Sequence, residues 1–330
     1  MANSSSRDCR IVFMGTPEFA VASLRALVEG GYRVVAVVTG PDKPAGRGLH
    51  LQPSPVKQYA LERGIPLLQP VKLRDEAFLD ELRRLSADLF VVVAFRMLPE
   101  AVWRMPRLGA FNLHAALLPK YRGAAPINWA IINGEAETGV TTFFIDENID
   151  TGKILLSEKV AISPADTAGT LHDALKEVGK SLVLKTVDGV VSGCVQPVPQ
   201  EDAGCGGAAP TAPKLFKDSC RISWQKKGGE LVNFVRGLSP HPAAWCELVA
   251  GSAPPQQLKI FAAHAEPTGD TCPAPAGALL SDGHTFLKAA CADGFLCIDE
   301  LQLAGKKRMK TEEFLRGARA LNIEQGASAT

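Results

Sequence analysis

The chain of 330 residues is long enough for two domains or one large one, each with its own hydrophobic core. With 46% apolar and 22% charged residues it is neither disordered throughout nor collagen-like. Thirty-six Lys and Arg face 35 Asp and Glu, a formal net charge of +1, so affinity for nucleic acid or a membrane surface has to come from a local site.

The opening MANSSSRDCR lacks the apolar stretch of a secretory signal, which points to the cytoplasm. Apolar strand and amphipathic helix then alternate. RIVFM at 10–14 leads to a helix from Pro17 and to RVVAVV at 33–38. ADLFVVVAF at 87–95, AFNLH at 110–114 and GVTTFFI at 139–145 follow, with helical stretches between them. Runs of Val, Ile and Phe this continuous suit strands covered on both faces. Residues 1–195 are therefore expected to form an α/β domain, a doubly wound, mostly parallel sheet of Rossmann-like type. Leu171, Leu175, Val178, Leu182 and Val183 set one apolar stripe along its last helix, about 166–187. The longest apolar run, 87–95, is broken by Asp88 and falls far short of the roughly 18 residues a membrane span requires, so no membrane partner is expected.

Residues 196–213, rich in Gly, Pro and Ala and without periodicity, read as a linker. After it come CRISW, AAWCELV, LKIFAA, HTFLKAA and GFLCIDELQL, punctuated by Pro and Gly. They predict a smaller antiparallel domain over 214–330, a β-barrel of OB-like type or a sandwich, closed by a helix near 311–320. Eight cysteines form no CxxC pair and six histidines no zinc-spaced cluster, so reduced thiols and no metal are expected.

The first βα turn, MGTPEFA at 14–20, has Gly15 but not the further glycines of a dinucleotide fingerprint, which argues against a nicotinamide dehydrogenase. Thr16 is expected to cap the following helix, with Pro17 at its first position. In FNLHAALLPKYRGAAP at 111–126, Asn112 and His114 stand two apart on a strand. They leave the same face at its C-terminal end, where ligands of open α/β sheets bind. An amide donor and a titratable imidazole can there converge on one atom. Asp146, Glu147 and Asp150 crowd the loop after the 139–145 strand, and a carboxylate brought beside His114 would fix its tautomer and stabilise its charged form. No Ser, Cys or Thr sits in a GxSxG-like setting, so direct acyl transfer fits better than a covalent acyl-enzyme.

MGTPEFA, PDKPAGRGLHLQPSPVK (41–57), FNLHAALLPKYRGAAPINWAI (111–131), GVTTFFIDENIDTGKIL (139–155), VRGLSPHPAAW (235–245) and LQLAGKKRMKTEEFLRG (301–317) together carry a resemblance along nearly the full length. The chain resembles the folate-dependent formyltransferases, and the 41–57 loop with the RGLSP element resembles the branch of that family acting on tRNA. The resemblance places a catalytic trio on Asn112, His114 and Asp150. It implies transfer of the formyl group of 10-formyltetrahydrofolate to the α-amino nitrogen of methionine on initiator tRNA. Asn112 and His114 would hold the oxyanion, and Asp150 would take the proton directly or through water and His114. The folate is expected against Phe95, Arg96, Met97, Leu98, Leu117, Leu118, Pro119 and Asp146. The tRNA is expected against Lys43, Arg47, Lys57 and Arg122, and against Arg236, Lys306, Lys307 and Arg308 of the C-terminal part, with the protein a monomer.

Two positions depart from the family pattern: Ala94-Phe95-Arg96 stands where Ala-Tyr-Gly is usual, and Asn148 where Gly is usual. Asn tolerates a positive φ, so the loop is expected to survive the second change. Residues 205–330 hold 14 Lys and Arg against 12 acidic residues, but Lys306, Lys307, Arg308 and Lys310 cluster, as a salt-sensitive backbone contact would require. The competing readings are a folate-dependent formyltransferase for a small amine, such as a glycinamide nucleotide or an amino sugar, and a noncatalytic RNA-binding protein of the same fold.

Overall fold

The uninterrupted apolar runs of the first half become strands with almost no exposed surface. The computed structural model describes residues 5–45, 50–203, 209–249, 254–317 and 328–329. Two compact units emerge: Met1–Pro126, Glu137–Ala161 and His172–Thr211 in the first, Ile127–Ala136, Ile162–Leu171 and Ala212–Thr330 in the second. The chain runs β1 (Ile11–Gly15), α1 (Glu18–Glu29), β2 (Val34–Val38), β3 (Lys43–Ala45), β4 (His50–Gln52), α2 (Pro55–Glu62), β5 (Leu67–Leu68), α3 (Glu76–Arg84) and β6 (Leu89–Val93). It continues through α4 (Glu100–Trp103), β7 (Ala110–His114), β8 (Arg122–Gly123), α5 (Pro126–Ile132), β9 (Glu137–Phe144), β10 (Ile154–Ala161) and α6 (Ala168–Ser192).

The main sheet of the first unit has the order β10-β9-β7-β6-β1-β2-β5. β1, β2, β5, β6 and β7 are parallel neighbours, and every residue of β1 and β6 is buried. From β1 the chain winds outward to β2 and β5, then returns to β6 on the other side of β1. In open α/β sheets ligands bind outside the carboxyl ends of the strands at such a reversal, which here falls between β1 and β6. β9 runs antiparallel to both β7 and β10, so the parallel character stops at β7. β10 was not foreseen as a strand: only one side of it is covered, and Ser157, Glu158 and Lys159 interrupt its apolar run.

The turn after β1 explains the lone Gly15. A Cβ there would meet Ala20 Cβ at 2.7 Å and the Val93 carbonyl at 2.9 Å, so the glycine serves close packing of α1 and β6. The cap expected from Thr16 does not form. Pro17 itself holds the N-cap position in extended conformation, without a side-chain hydrogen bond, and the helix begins at Glu18. α6 buries Leu171, Leu175, Leu182, Val183 and Val187, while Val178 is half-buried and Gly179 takes the buried place beside it.

The second unit holds α7 (Gly228–Leu238), β12 (Ala244–Val249), β13 (Gln256–Pro267), β14 (Leu279–Ser281), β15 (Leu287–Cys291), β16 (Gly294–Leu303), β17 (Met309–Lys310), α8 (Thr311–Gly317) and β18 (Ser328–Ala329); a short β11 (Thr211–Ala212) precedes it. Its strands run β14-β15-β16-β13-β12-β18, all antiparallel, with β17 added beside β16. A bridge from Ala278 to Ser328 joins the two outer strands and leaves the barrel nearly closed. CRISW is not a strand: Asp218–Cys220 is a 3-10 turn, and Arg221 makes only an isolated bridge to Trp245. Trp224, Leu231, Val235, Trp245, Leu258, Ile260, Leu296 and Leu301 are among the residues that fill the barrel.

Candidate active site

β7 has the period of two that places Asn112 and His114 on one side of the sheet, next to β9 through the pairs Asn112–Phe143 and His114–Thr141. His114 ends the strand and is 6% exposed. Its Nε2 lies 2.8 Å from the Tyr121 carbonyl oxygen. A carbonyl only accepts, so Nε2 carries the hydrogen and the neutral ring keeps its lone pair on Nδ1. Nδ1 in turn lies 3.7 Å from Asp150 Oδ2. The imidazole edge open to a proton thus faces a carboxylate, and that carboxylate is itself only 15% exposed. The Asn112 amide is half-buried and has no hydrogen-bond partner among the described residues.

Asp150 reaches this position from the loop between β9 and β10. The positive φ expected of Asn148 is not found there. Asp150 is the left-handed residue of the loop, at φ +56°. Asn148 N–H instead closes an Asx turn on Asp146 Oδ1 at 3.1 Å, and Thr151 Oγ1 donates to the same oxygen at 2.8 Å. Asp146 therefore builds the loop. Gly152 is required by contact: a Cβ there would stand 1.6 Å from the Phe144 carbonyl oxygen. Gly123 N–H donates to Asp150 Oδ2, the same oxygen that faces His114 Nδ1, at 2.9 Å and helps fix the carboxylate.

Sequence reasoning passed over Gln200, which lies in the segment read as a linker. Val198 exchanges two backbone hydrogen bonds of 2.8 Å with Ile154, and Gln200 is buried with 4% exposure. Its Nε2 donates to the carbonyls of Asp150 at 2.9 Å and Gly152 at 2.8 Å. Its Oε1 accepts from Arg122 Nε at 3.0 Å and Nη2 at 2.6 Å. A Gln in a Pro- and Gly-rich run has no periodicity to announce such a role, and its only signal was polarity inside a segment that has to cross the sheet edge.

The remaining expected residues separate. On the loop after β6, Leu98 is buried in the core with Val12 and Met14, and Phe95 packs against that core. Met97 is exposed, and Arg96 donates to the carbonyls of Val71 at 3.0 Å and Pro70 at 2.9 Å. Burial pulls the Arg96 guanidinium below its ordinary value. On the loop after β7, Leu118 is buried, Leu117 and Pro119 are half-buried, and Thr141 Oγ1 donates to Ala116 O at 2.7 Å and accepts from Leu118 N at 3.2 Å. Lys43 is exposed on β3, and Lys57 pairs with Asp42 at 2.7 Å; Arg47 lies outside the described residues. Hydrogen bonds from Lys57 and Gln69 hold the Asp42 carboxyl below the usual carboxylate range. In the second unit Arg236 donates to Asn233 Oδ1, Ser163 O and Asp166 O. Lys306 is exposed, Lys307 pairs loosely with Glu313 at 3.4 Å, and Arg308 pairs with Glu300 beside the Phe261 ring. Among the described residues no group of His, Cys, Asp and Glu could hold a metal ion, and no helix is long and apolar enough to cross a membrane.

Residues 9–187 match the sequence profile of the family "Formyl transferase", and 214–319 that of "Formyl transferase, C-terminal domain". The chain is 56% identical over 312 residues to the methionyl-tRNA formyltransferase of Bacteroides thetaiotaomicron, covering 94% of this chain and 96% of that protein. It is 52% identical over 308 residues to that of Flavobacterium johnsoniae, covering 93% and 96%. Among solved structures it resembles the N-formyltransferase of Helicobacter canadensis in complex with folinic acid and dTDP-3-aminofucose, with a TM-score of 0.62 at 20% identity over 91% of this chain and 100% of that one. At that identity the likeness speaks for the fold alone.

Proposed function

The chain belongs to the formyl transferase family, and we propose that it moves the formyl group of 10-formyltetrahydrofolate to the α-amino nitrogen of methionine carried by initiator tRNA, giving N-formylmethionyl-tRNA for translation initiation. The observation that carries the reading is the meeting of His114 Nδ1 with the Asp150 carboxylate, on the strand side that also bears Asn112. The amine must be neutral to attack, and free α-amino groups titrate at roughly 7.7–8.0, so part of the substrate has a proton to lose before it reacts. Its nitrogen adds to the formyl carbon, and the carbonyl electrons move onto oxygen. The Asn112 amide N–H is the donor for that oxyanion, joined by His114 once Nδ1 is protonated. Asp150, alone or with His114, takes the proton of the attacking amine. Collapse breaks the bond from the formyl carbon to folate nitrogen, and that nitrogen takes a proton as it leaves.

In this reading the folate lies against the loops after β6 and β7, on the surface offered by Phe95, Arg96, Met97, Leu117 and Pro119. Leu98 and Leu118 support those loops from the core, and Asp146 keeps the 146–152 loop in shape. Lys43, Arg47 and Lys57 of the 41–57 segment, and Arg236, Lys306, Lys307 and Arg308 of the second unit, are the candidates for meeting the tRNA, chiefly at phosphates. Arg122 is engaged by Gln200 and does not belong to that set. The enzyme works in the cytoplasm as a monomer and needs no metal.

The test is to incubate the protein with 10-formyltetrahydrofolate and Met-charged initiator and elongator tRNAs and to score N-formylmethionine, with an amino sugar nucleotide as a parallel acceptor. Formylation of the initiator is expected. Labelled formyl that stays on folate while tRNA binds, or that passes only to the sugar, defeats the assignment.

A further inference from the structure

Three consecutive residues each hold one member of the site. Tyr121 O accepts from His114 Nε2, the Arg122 guanidinium donates twice to Gln200 Oε1, and Gly123 N–H donates to Asp150 Oδ2. Gln200 completes this arrangement by giving its two amide hydrogens to the carbonyls of Asp150 and Gly152. A primary amide has two donors and two acceptor lone pairs, and all four are used here. The amide orientation is thereby fixed, because a flipped amide would set Oε1 against two carbonyl oxygens and its NH2 against a cation. Asp150 sits at φ +56°, in the left-handed region that Asp enters more readily than most residues but that still costs free energy and has to be held by its surroundings. The Gln200 donors, on either side of Thr151, grip the loop at that strained point.

We infer that Gln200 is a positioning residue for formyl transfer, setting through the loop backbone where the Asp150 carboxylate stands relative to His114 Nδ1. The inference rests on the functional reading above. Gln200 touches no reacting atom, so its replacement moves the carboxylate rather than removing a donor to substrate. It gives the segment between the two family matches, residues 188–213, a part in turnover. Arg122 serves the same end by holding Gln200, which leaves its guanidinium engaged within the protein.

The experiment uses full-length Gln200→Glu and Gln200→Leu in wild-type and Asp150→Asn backgrounds, with kcat and both KM values measured. Glutamate keeps an acceptor for Arg122 but turns an oxygen without hydrogen toward two carbonyls. Leucine removes every bond. A misplacement of this kind costs on the order of 10²-fold in rate, so kcat should fall by about that factor while both KM values stay within about threefold. In the Asp150→Asn background the same changes should cost nothing further, since there the carboxylate they position is gone. Wild-type kcat in both Gln200 variants, a loss confined to the KM for Met-tRNA, or a full additional loss in the Asp150→Asn background would overturn the inference. Should the Gln200 variants not fold, Arg122→Met keeps the Gln200 side chain but removes both donors that fix its amide orientation, which loosens its grip on the loop. It should lower kcat without raising the KM for tRNA, and the opposite split would assign Arg122 to the RNA and sink the idea. A wild-type protein inactive on Met-tRNA would refute the functional reading instead.

Discussion

Asn112→Ala separates a catalytic donor from a structural one. The Asn112 amide is half-buried and has no hydrogen-bond partner among the described residues, so shortening the side chain breaks no bond to any of them. Its backbone pairings with Val92 and Phe143 are untouched. Stability should therefore change by less than about 1 kcal/mol, the range of substitutions that create neither a large cavity nor an orphaned buried group. Loss of one preorganised oxyanion donor costs about 10²–10³ in kcat, or roughly 2.7–4 kcal/mol at the transition state. The assay is single-turnover formylation of Met-tRNA, paired with urea unfolding of the same preparation. Asn112→Asp sharpens it, because a carboxylate of the same shape offers only acceptors to a developing negative charge and should be at least as slow. Turnover of Asn112→Ala within about threefold of wild type would refute the donor role. A parallel collapse of stability and rate would refute the claim that the amide stands ready for substrate.

Gly152→Ala sets a Cβ against the Phe144 carbonyl at 1.6 Å, so the β9–β10 loop must shift, and the protein should lose about 3 kcal/mol or more in urea unfolding together with most of its activity. Asp42 has a depressed folded value, so its pair with Lys57 stabilises the fold above the ordinary carboxylate range and the benefit fades as pH falls through the folded value. Asp42→Asn should thus be less stable than wild type at neutral pH, and the gap between their thermal midpoints should close in acid; a constant gap would show that charge is not the cause. Arg47→Ala should raise the KM for Met-tRNA far more than that for folate in steady-state kinetics, and equal effects would exclude an RNA contact. Affinity for tRNA should also fall steeply from low to moderate salt in a filter-binding titration, as release of counterions from a phosphate contact demands.

The strands β1, β2, β6 and β7 and the helices between them were legible in the sequence, because strands buried on both faces need unbroken apolar runs and helices beside them need a stripe; the two- and three-residue strands β3, β4 and β5 are too short to show either pattern. The shared side of Asn112 and His114 was legible too, since a period of two is a local property of any strand. The motif-bearing stretches made the family legible as well. What local pattern could not supply was the company those residues keep. Gln200 stands 86 residues after His114, and nothing in its neighbourhood marks it as the support of Asp150. The reversal of sense at β9, the left-handed turn at Asp150 in place of Asn148, and the choice of Nε2 as the protonated nitrogen arise the same way. Each depends on which distant strand edge or carbonyl the folded chain brings within about 3 Å, the distance at which a hydrogen bond decides the matter. Residue type and a spacing of two along one strand pick out Asn112 and His114 as a pair able to act on one atom, and that much is local. Which groups face that pair is a matter of the fold, because a hydrogen-bond network among residues 114, 121–123, 150–152 and 200 exists once the sheet order has closed the distance between them.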